Sequence, residues 1–354
     1  MSEYVGAVCP AVMSDTVKVG VVGASGYTGE ELLRILSRHP AVEVTTMTSR
    51  QLAGQDVRKI SGIGAHLHGM TFEDLRPSEV AQRAEVFFLA LPHGVAAEYA
   101  LPLLQAGKKV IDLSADFRLN DAAVYQEFYG MEHPAPEMLA QAVYALPELH
   151  RDDFSKFDLF ACPGCYPTSI NLPLAPLLQA GFIESEGIVI NSLSGVSGAG
   201  KQADLMYSFC ERDNNAAAYS WPKHRHLAEM EQELSVHAGK MLVLTFTPHL
   251  LPVVRGMLST ISARLKADVT EEKARELLEN TYAQEAFVQV LPADETPEIK
   301  HVVGSNQCLI AVRVDTRAGR LQVVSVIDNL LKGASGQAVQ VFNAISGLDE
   351  STGL

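Results

Sequence analysis

Residues 17–36 constrain the fold of this chain more than any other stretch. Val17-Lys-Val-Gly-Val-Val22 runs without a break into Gly23-Ala-Ser-Gly26-Tyr-Thr-Gly29 and then into Glu-Glu-Leu-Leu-Arg-Ile-Leu36. A β-branched run, glycines at every third position, and Leu32, Leu33 and Leu36 at helical spacing predict a strand, a tight turn and an amphipathic helix. Glycines at such a turn let the backbone approach a pyrophosphate, and the helix start offers free N–H groups to it. The spacing is G-x-x-G-x-x-G in place of the usual G-x-G-x-x-G, so a turn that binds nothing stays open as the plainer reading.

The alternation continues. Strands are expected at 17–23, 42–48, 85–91, 108–113 and 157–161, with helices at 26–38 and 94–106. That is a doubly wound parallel α/β pattern. Beyond it the balance shifts towards strands, at 187–193, 241–247, 257–265, 307–314 and 321–327, with helices at 168–180, 227–237 and 270–284. A mostly antiparallel sheet in a second, α+β domain follows from this. The expected division is a nucleotide domain over 1–162, a second domain over 163–329, and a C-terminal helical segment, 330–354, returning to the first domain. A chain of 354 residues supports two such cores, with a cleft between them.

About 20 residues past the glycines, where an NAD enzyme offers a carboxylate to the ribose, this chain has Ser49 and Arg50. A carboxylate would repel a 2′-phosphate that Ser and Arg can bind, so NADP(H) is the expected cofactor. Gly23, Ser25, Gly26, Tyr27, Thr28 and Gly29 form the expected turn, and Pro92 ends the next strand beside His93. With 28 Lys and Arg against 42 Asp and Glu, the net charge of −14 argues against nucleic acid as partner. An anionic substrate therefore needs a locally basic site. Apolar runs are of strand length, so no membrane span is expected. No basic start precedes an apolar stretch at the N-terminus, and five scattered cysteines suit reduced thiols, so the expected compartment is the cytoplasm.

Cys162-Pro-Gly-Cys165-Tyr-Pro167-Thr168 follows a strand and opens a helix. A helix N-terminus stabilises an adjacent anion by about 0.3–1 kcal/mol. That is less than one pKa unit, at about 1.4 kcal/mol each, so a thiolate at Cys165 would need a nearby imidazolium. Lys223-His224-Arg225-His226 offers one. Three chemistries compete: zinc on Cys162, Cys165, His224 and His226; a dithiol redox pair; and a nucleophilic Cys with a His acid/base. The dinucleotide turn favours the third, since a thioacyl carbon accepts a hydride, and no metal is expected.

Four blocks together carry a resemblance: Gly23–Arg34 with His39-Pro40, Pro163–Thr168, Ser194-Gly-Val-Ser-Gly-Ala-Gly-Lys201, and His224-Arg-His226, extending to Asp328-Asn-Leu-Leu-Lys-Gly-Ala334. They resemble the type 1 N-acetyl-gamma-glutamyl-phosphate reductase family over nearly the whole chain. The resemblance implies an α/β Rossmann-like dinucleotide-binding domain plus an α+β semialdehyde-dehydrogenase-like, GAPDH-like second domain. It also implies NADPH as reductant, a homodimer or homotetramer, Cys165 as nucleophile, and the His224–His226 block as acid/base source, without choosing between the histidines. For the anionic substrate the candidates are Ser114, Arg118, Lys201, Arg225, Glu229 and Arg255. Ser197 and Gly198 offer backbone to phosphate or nicotinamide, and Asn329 is placed to reach the carboxamide. Cys162 stands where related sequences commonly carry Asn. Its spacing from Cys165 raises the expectation of a reversible disulfide.

Overall fold

The structure, a computed structural model, describes residues 16–201 and 203–354. Its first half contains β1 (Val17–Val22), α1 (Tyr27–Leu36), β2 (Val42–Thr48), α2 (Pro77–Val80), β3 (Val86–Leu89), α3 (Ala96–Gln105), β4 (Lys109–Asp112), α4 (Ala122–Tyr129), β5 (Ala142–Tyr144), α5 (Pro147–His150) and β6 (Leu159–Ala161). The six strands pair in parallel in the order β2-β1-β3-β4-β6-β5. Chain order reverses between β1 and β3, and the crevice at the carboxyl ends of those strands is where a doubly wound sheet binds ligands. Helices cover both faces, which is why β3 reads as an unbroken apolar run and β1 is buried from Val19 onward. Leu32, Leu33 and Leu36 of α1 are fully buried against this sheet, each contributing about 1.5–3 kcal/mol of transfer free energy.

The second half contains α6 (Cys165–Gln179), β7 (Val189–Gly195), α7 (Phe209–Arg212), β8 (Ala217–Ala218), α8 (His226–Ala238), β9 (Thr245–Leu251), β10 (Met257–Arg264), α9 (Glu271–Tyr282), β11 (Val288–Val290), β12 (Cys308–Asp315) and β13 (Arg320–Ile327). The sheet order is β11-β12-β13-β10-β7-β9-β8. It is mixed: β7 with β9 and β11 with β12 run parallel, while the other four pairings are antiparallel. The β7–β9 pair is parallel because α8 lies in its crossover. One face packs on α6, α8 and α9 through Ile190, Met257, Ile261, Ile310 and Val323. The other face is covered at β12 and β13, where Leu291 and Val302 pack on Leu309, Ala311 and Val326, and is exposed elsewhere, as at Val189 and Thr245.

Strand β9 starts four residues later than the sequence suggests and runs through Pro248. Residues 242 and 244 instead give their N–H groups to Ser235 and Glu231 of α8. A proline is tolerated in β9 because its outer neighbour, β8, is two residues long and nearly an edge. After β13 the chain makes a π-helical turn, Leu331–Ser335, and enters α10 (Gly336–Ile345). Helix α10 packs Val339 and Phe342 into the core of the first sheet with Val19, Val21 and Phe88. No helix of the described residues is long and apolar enough to cross a membrane.

Candidate active site

A cavity of about 670 Å³ lies between the two sheets, lined at one end by the β1–α1 turn and at the other by Cys165. At the first end Gly23 has φ +85°, and a Cβ there would meet the Ala90 carbonyl oxygen at 2.4 Å. Gly29 lets α1 pack against the turn, since its Cβ would fall 2.5 Å from Gly23 O. Gly26 caps α1 without any side-chain bond, and a Cβ there would meet nothing closer than 4.0 Å. The first-turn N–H groups thus face open space, with Ser25, Tyr27 and Thr28 lining it. This turn fits a pyrophosphate. Ser49 and Arg50 line the same end, and Ser49 Oγ lies 2.8 Å from Ser25 Oγ. Pro92, Ser197, Gly198 and Asn329 also line the cavity, and Asn329 Nδ2 donates to Ser197 Oγ.

At the far end Gly164 caps α6, and Cys165 is that helix's first residue, three earlier than the sequence suggests. The Tyr166 N–H favours the ionised form of the Cys165 sulfur. A Cβ on Gly164 would lie 2.6 Å from His226 Nε2 and 3.0 Å from Arg118 Nη1. His226 and Arg118 therefore both border the Gly164–Cys165 turn. Beneath them Glu229, 1% exposed, accepts bonds from the Gly164 N–H (2.8 Å) and the Tyr144 hydroxyl (2.8 Å), and pairs with Arg118 at 3.4 Å. Arg118 Nη2 donates to Leu113 O, while its buried Nε has no partner.

The electrostatics correct one expectation. Burial pushes the Cys165 thiol up to about 11, with Arg118 and the Tyr166 N–H only partly offsetting it. Burial, the neighbouring His224 and the charges of Arg118 and Arg225 hold His226 well below the usual histidine range. Both shifts run against the thiolate–imidazolium pair expected from sequence: burial favours the neutral thiol at Cys165 and the neutral imidazole at His226. Desolvation of both groups outweighs the helix-terminus effect. Cys162 is buried, and burial and the nearby Asp112 push its thiol far up. That burial disfavours the Cys162 thiolate that exchange into a disulfide with Cys165 would require.

His224 and His226 separate clearly. His226 lines the cavity and its Nδ1 has no hydrogen-bond partner. His224 is ringed by Tyr166, Tyr219 and Phe246 and does not line the cavity. Burial drives His224 down to about 3, and its Nδ1 accepts the His226 N–H. Among the basic candidates, Arg118, Lys201 and Arg225 line the cavity. Lys201 already pairs with Glu30 at 2.5 Å. Arg225 Nη1 sits 3.5 Å from His93 Nδ1 across the opening. Arg255 is not brought there: it pairs with Asp328 and Glu31 beside an adjoining cavity. Glu229 lies under the floor instead of facing substrate. Ser114 lines the wall, but its hydroxyl donates to Asp112 (2.7 Å). Sequence reasoning missed Tyr144 and the Gly164 backbone contact, which depend on partners 85 and 65 residues away from Glu229. No cluster of metal-ligating side chains occurs among the described residues.

The chain matches two family models, "Semialdehyde dehydrogenase, NAD binding domain" over residues 18–157 and "Semialdehyde dehydrogenase, dimerisation domain" over residues 165–329. It is 50% identical over 341 residues to N-acetyl-gamma-glutamyl-phosphate reductase of Pelotomaculum thermopropionicum, covering 96% of this chain and 97% of that one. It is also 50% identical over 339 residues to the enzyme of that name from Geobacter sulfurreducens, covering 96% and 98%. Among solved structures, aspartate semialdehyde dehydrogenase II from Vibrio cholerae superposes with a TM-score of 0.70 at 18% identity, covering 94% of this chain and 99% of that one. The aspartate semialdehyde dehydrogenase from Candida albicans, solved with NADP, gives 0.68 at 16% identity, with 94% and 99% covered. At those identities the two structures speak for the fold.

Proposed function

The chain belongs to the N-acetyl-gamma-glutamyl-phosphate reductase family, and from that premise we propose how its cavity performs the reaction and which residues carry it. The protein is an oxidoreductase of arginine biosynthesis that reduces N-acetyl-gamma-glutamyl phosphate to the 5-semialdehyde and phosphate. The observation behind the residue assignment is the contact of Gly164 with both His226 and Arg118, one residue before a thiol that faces the same cavity as an uncapped glycine turn.

Cys165 Sγ attacks the acyl carbon, and the bond from that carbon to the phosphate oxygen breaks. Because the thiol rests protonated, His226 takes its proton during attack and passes it to the departing phosphate, one imidazole serving as base and then acid. Arg118, with Arg225 at the opening, holds the substrate's anionic groups. Arg118 lines the cavity with its guanidinium already oriented by Glu229 and Leu113 O. Bound reduced nicotinamide supplies the hydride that brings the thioester carbon to the aldehyde level. N–H groups of the first turn of α6 stabilise the resulting oxyanion. Its collapse breaks the carbon–sulfur bond, leaving the electron pair on Cys165, and a solvent proton delivered through His226 restores the thiol. His224 sets the orientation of His226 through the latter's backbone N–H.

The cofactor is NADP(H): Gly23, Ser25, Gly26, Tyr27, Thr28 and Gly29 hold the pyrophosphate, and Ser49 and Arg50 take the 2′-phosphate. Pro92, Ser197, Gly198 and Asn329 line the nicotinamide end. Functionally, 1–162 with 330–354 binds the cofactor and 163–329 carries catalysis and oligomerisation. The exposed face of the second sheet supports a homodimer or homotetramer, working in the cytoplasm. Phosphate-dependent reduction of NADP with N-acetylglutamate semialdehyde, run beside aspartate semialdehyde, tests the substrate. Faster turnover of the latter overturns the assignment.

A further inference from the structure

The π-helical turn Leu331–Ser335 has no part in the chemistry above, yet it touches both ends of the cavity. π-turns of this kind recur at functional sites. Within it Lys332 is completely buried. Its Nζ lies 2.5 Å from Glu148 Oε1 and 2.7 Å from Gln340 Oε1, with the Phe287 ring centroid 5.7 Å away. Gln340 Nε2 in turn donates to Glu148 Oε1 at 2.9 Å. Burial alone would raise the Glu148 carboxyl, but the Lys332 charge and the bonds from Lys332 and Gln340 outweigh it and hold the group below its usual range. One ammonium thus ties α5, the approach to β11 and α10 together.

Removing an ammonium and a carboxylate from water is costly, and a buried pair is weak evidence of a stability role. What the pair fixes is its neighbour. A Cβ on Gly333 would sit 2.8 Å from Cys165 Cβ and 3.3 Å from its Cα. Two residues on, Ser335 Oγ donates to the Thr28 carbonyl in the nucleotide turn at 2.9 Å. Gln337 Nε2 reaches Thr168 Oγ1, in the first turn of α6, at 3.2 Å. The turn is therefore seated on the thiol, the helix that presents it and the cofactor end at once.

We propose that Lys332 and Glu148 are positioning residues whose buried pair fixes the π-turn, so that Gly333 backs Cys165 at a set distance from the nicotinamide end of the cavity. This rests on Cys165 being the nucleophile. Reacting atoms must be held to within a fraction of an ångström, and a 1 Å displacement is worth about 10²-fold in rate.

The test uses the full chain and two variants. Lys332→Met with Glu148→Gln removes both charges together and leaves neither stranded. Gly333→Ala alters no charge. In each, NADPH affinity is read by fluorescence titration, KM and kcat by turnover per titrated thiol, and integrity by thermal unfolding. For both variants kcat falls about 10- to 100-fold while KM and NADPH affinity stay within about threefold. A purely structural pair would lower unfolding temperature and leave kcat per folded molecule untouched. Wild-type kcat in the double variant overturns the proposal. Should that variant fail to fold, wild-type kcat in Gly333→Ala overturns it instead. Activity surviving Cys165→Ser would sink the covalent reading, a result separable from both.

Discussion

Two strand-to-helix turns face each other across the cavity, and they differ in what fills them. Both follow a parallel strand of the first sheet, and both helices are capped by a glycine in extended conformation with no side-chain bond, Gly26 before α1 and Gly164 before α6. At Gly26 the space beyond the backbone is open. At Gly164 it holds the edge of His226 and the guanidinium of Arg118, and the glycine's own N–H is taken by Glu229. In the proposed function the same local device would serve a diffusible anion in one place and a fixed reactive group in the other. Local sequence makes the device, and long-range packing decides its use.

The sharpest way to separate the two turns is Cys165→Ser. A hydroxyl is a far weaker nucleophile, so turnover falls on the order of 10⁴-fold or more while NADPH binding at the other turn is unchanged in a fluorescence titration. Next come matched glycine substitutions. Gly164→Ala drives a methyl into His226 and lowers kcat by about 10²-fold. Gly26→Ala meets no protein atom and leaves the chemistry alone, showing instead as weaker NADPH binding. If both variants lose kcat equally, the contrast drawn here fails.

The pH dependence of the thiol comes next in size. With its pKa pushed up to about 11, Cys165 in the free enzyme stays protonated through neutral pH. Its thiolate fraction grows about tenfold per pH unit until that value is approached. Iodoacetamide alkylation of the substrate-free enzyme should therefore quicken about 100-fold between pH 7 and 9 and keep rising. A plateau by pH 8 would restore the ion-pair picture. Arg50→Ala is a smaller perturbation, confined to the cofactor turn. Loss of one charge-assisted contact, about 1.5–3 kcal/mol, raises KM for NADPH about 10- to 100-fold and leaves KM for NADH in place. Smallest is Lys201→Ala, whose pairing with Glu30 is partly solvated and worth about 0–1 kcal/mol, so KM moves by no more than a few-fold.

The first turn is legible in sequence because its chemistry is local: glycines, a strand before and an amphipathic helix after. Five of the six strands of the first sheet are legible for the same reason, with ends within two residues of the expectation. Cys165 stood out by its place between a strand and a helix. His224 and His226 could not be told apart, since two residues at a helix entrance point in directions that only packing decides. One meets Gly164 and the other an aromatic ring set. Arg255 looked available because Asp328 and Glu31, its partners, come from opposite ends of the chain. Lys332 interrupts an apolar helical run, and its partner Glu148 lies 184 residues away, so local pattern does not show the pair. β5 and α4, short and weakly patterned, were not foreseen.

The backbone passes between the two halves of the molecule only twice among the described residues, at 162–165 after β6 and at 328–336 after β13. Those crossings lie side by side, with Gly333 resting on Cys165. Any swing of one half against the other must pivot on them. In the proposed mechanism the sulfur therefore sits on the axle: the outer walls could part to admit a dinucleotide and an acyl phosphate while the sulfur stays nearly still.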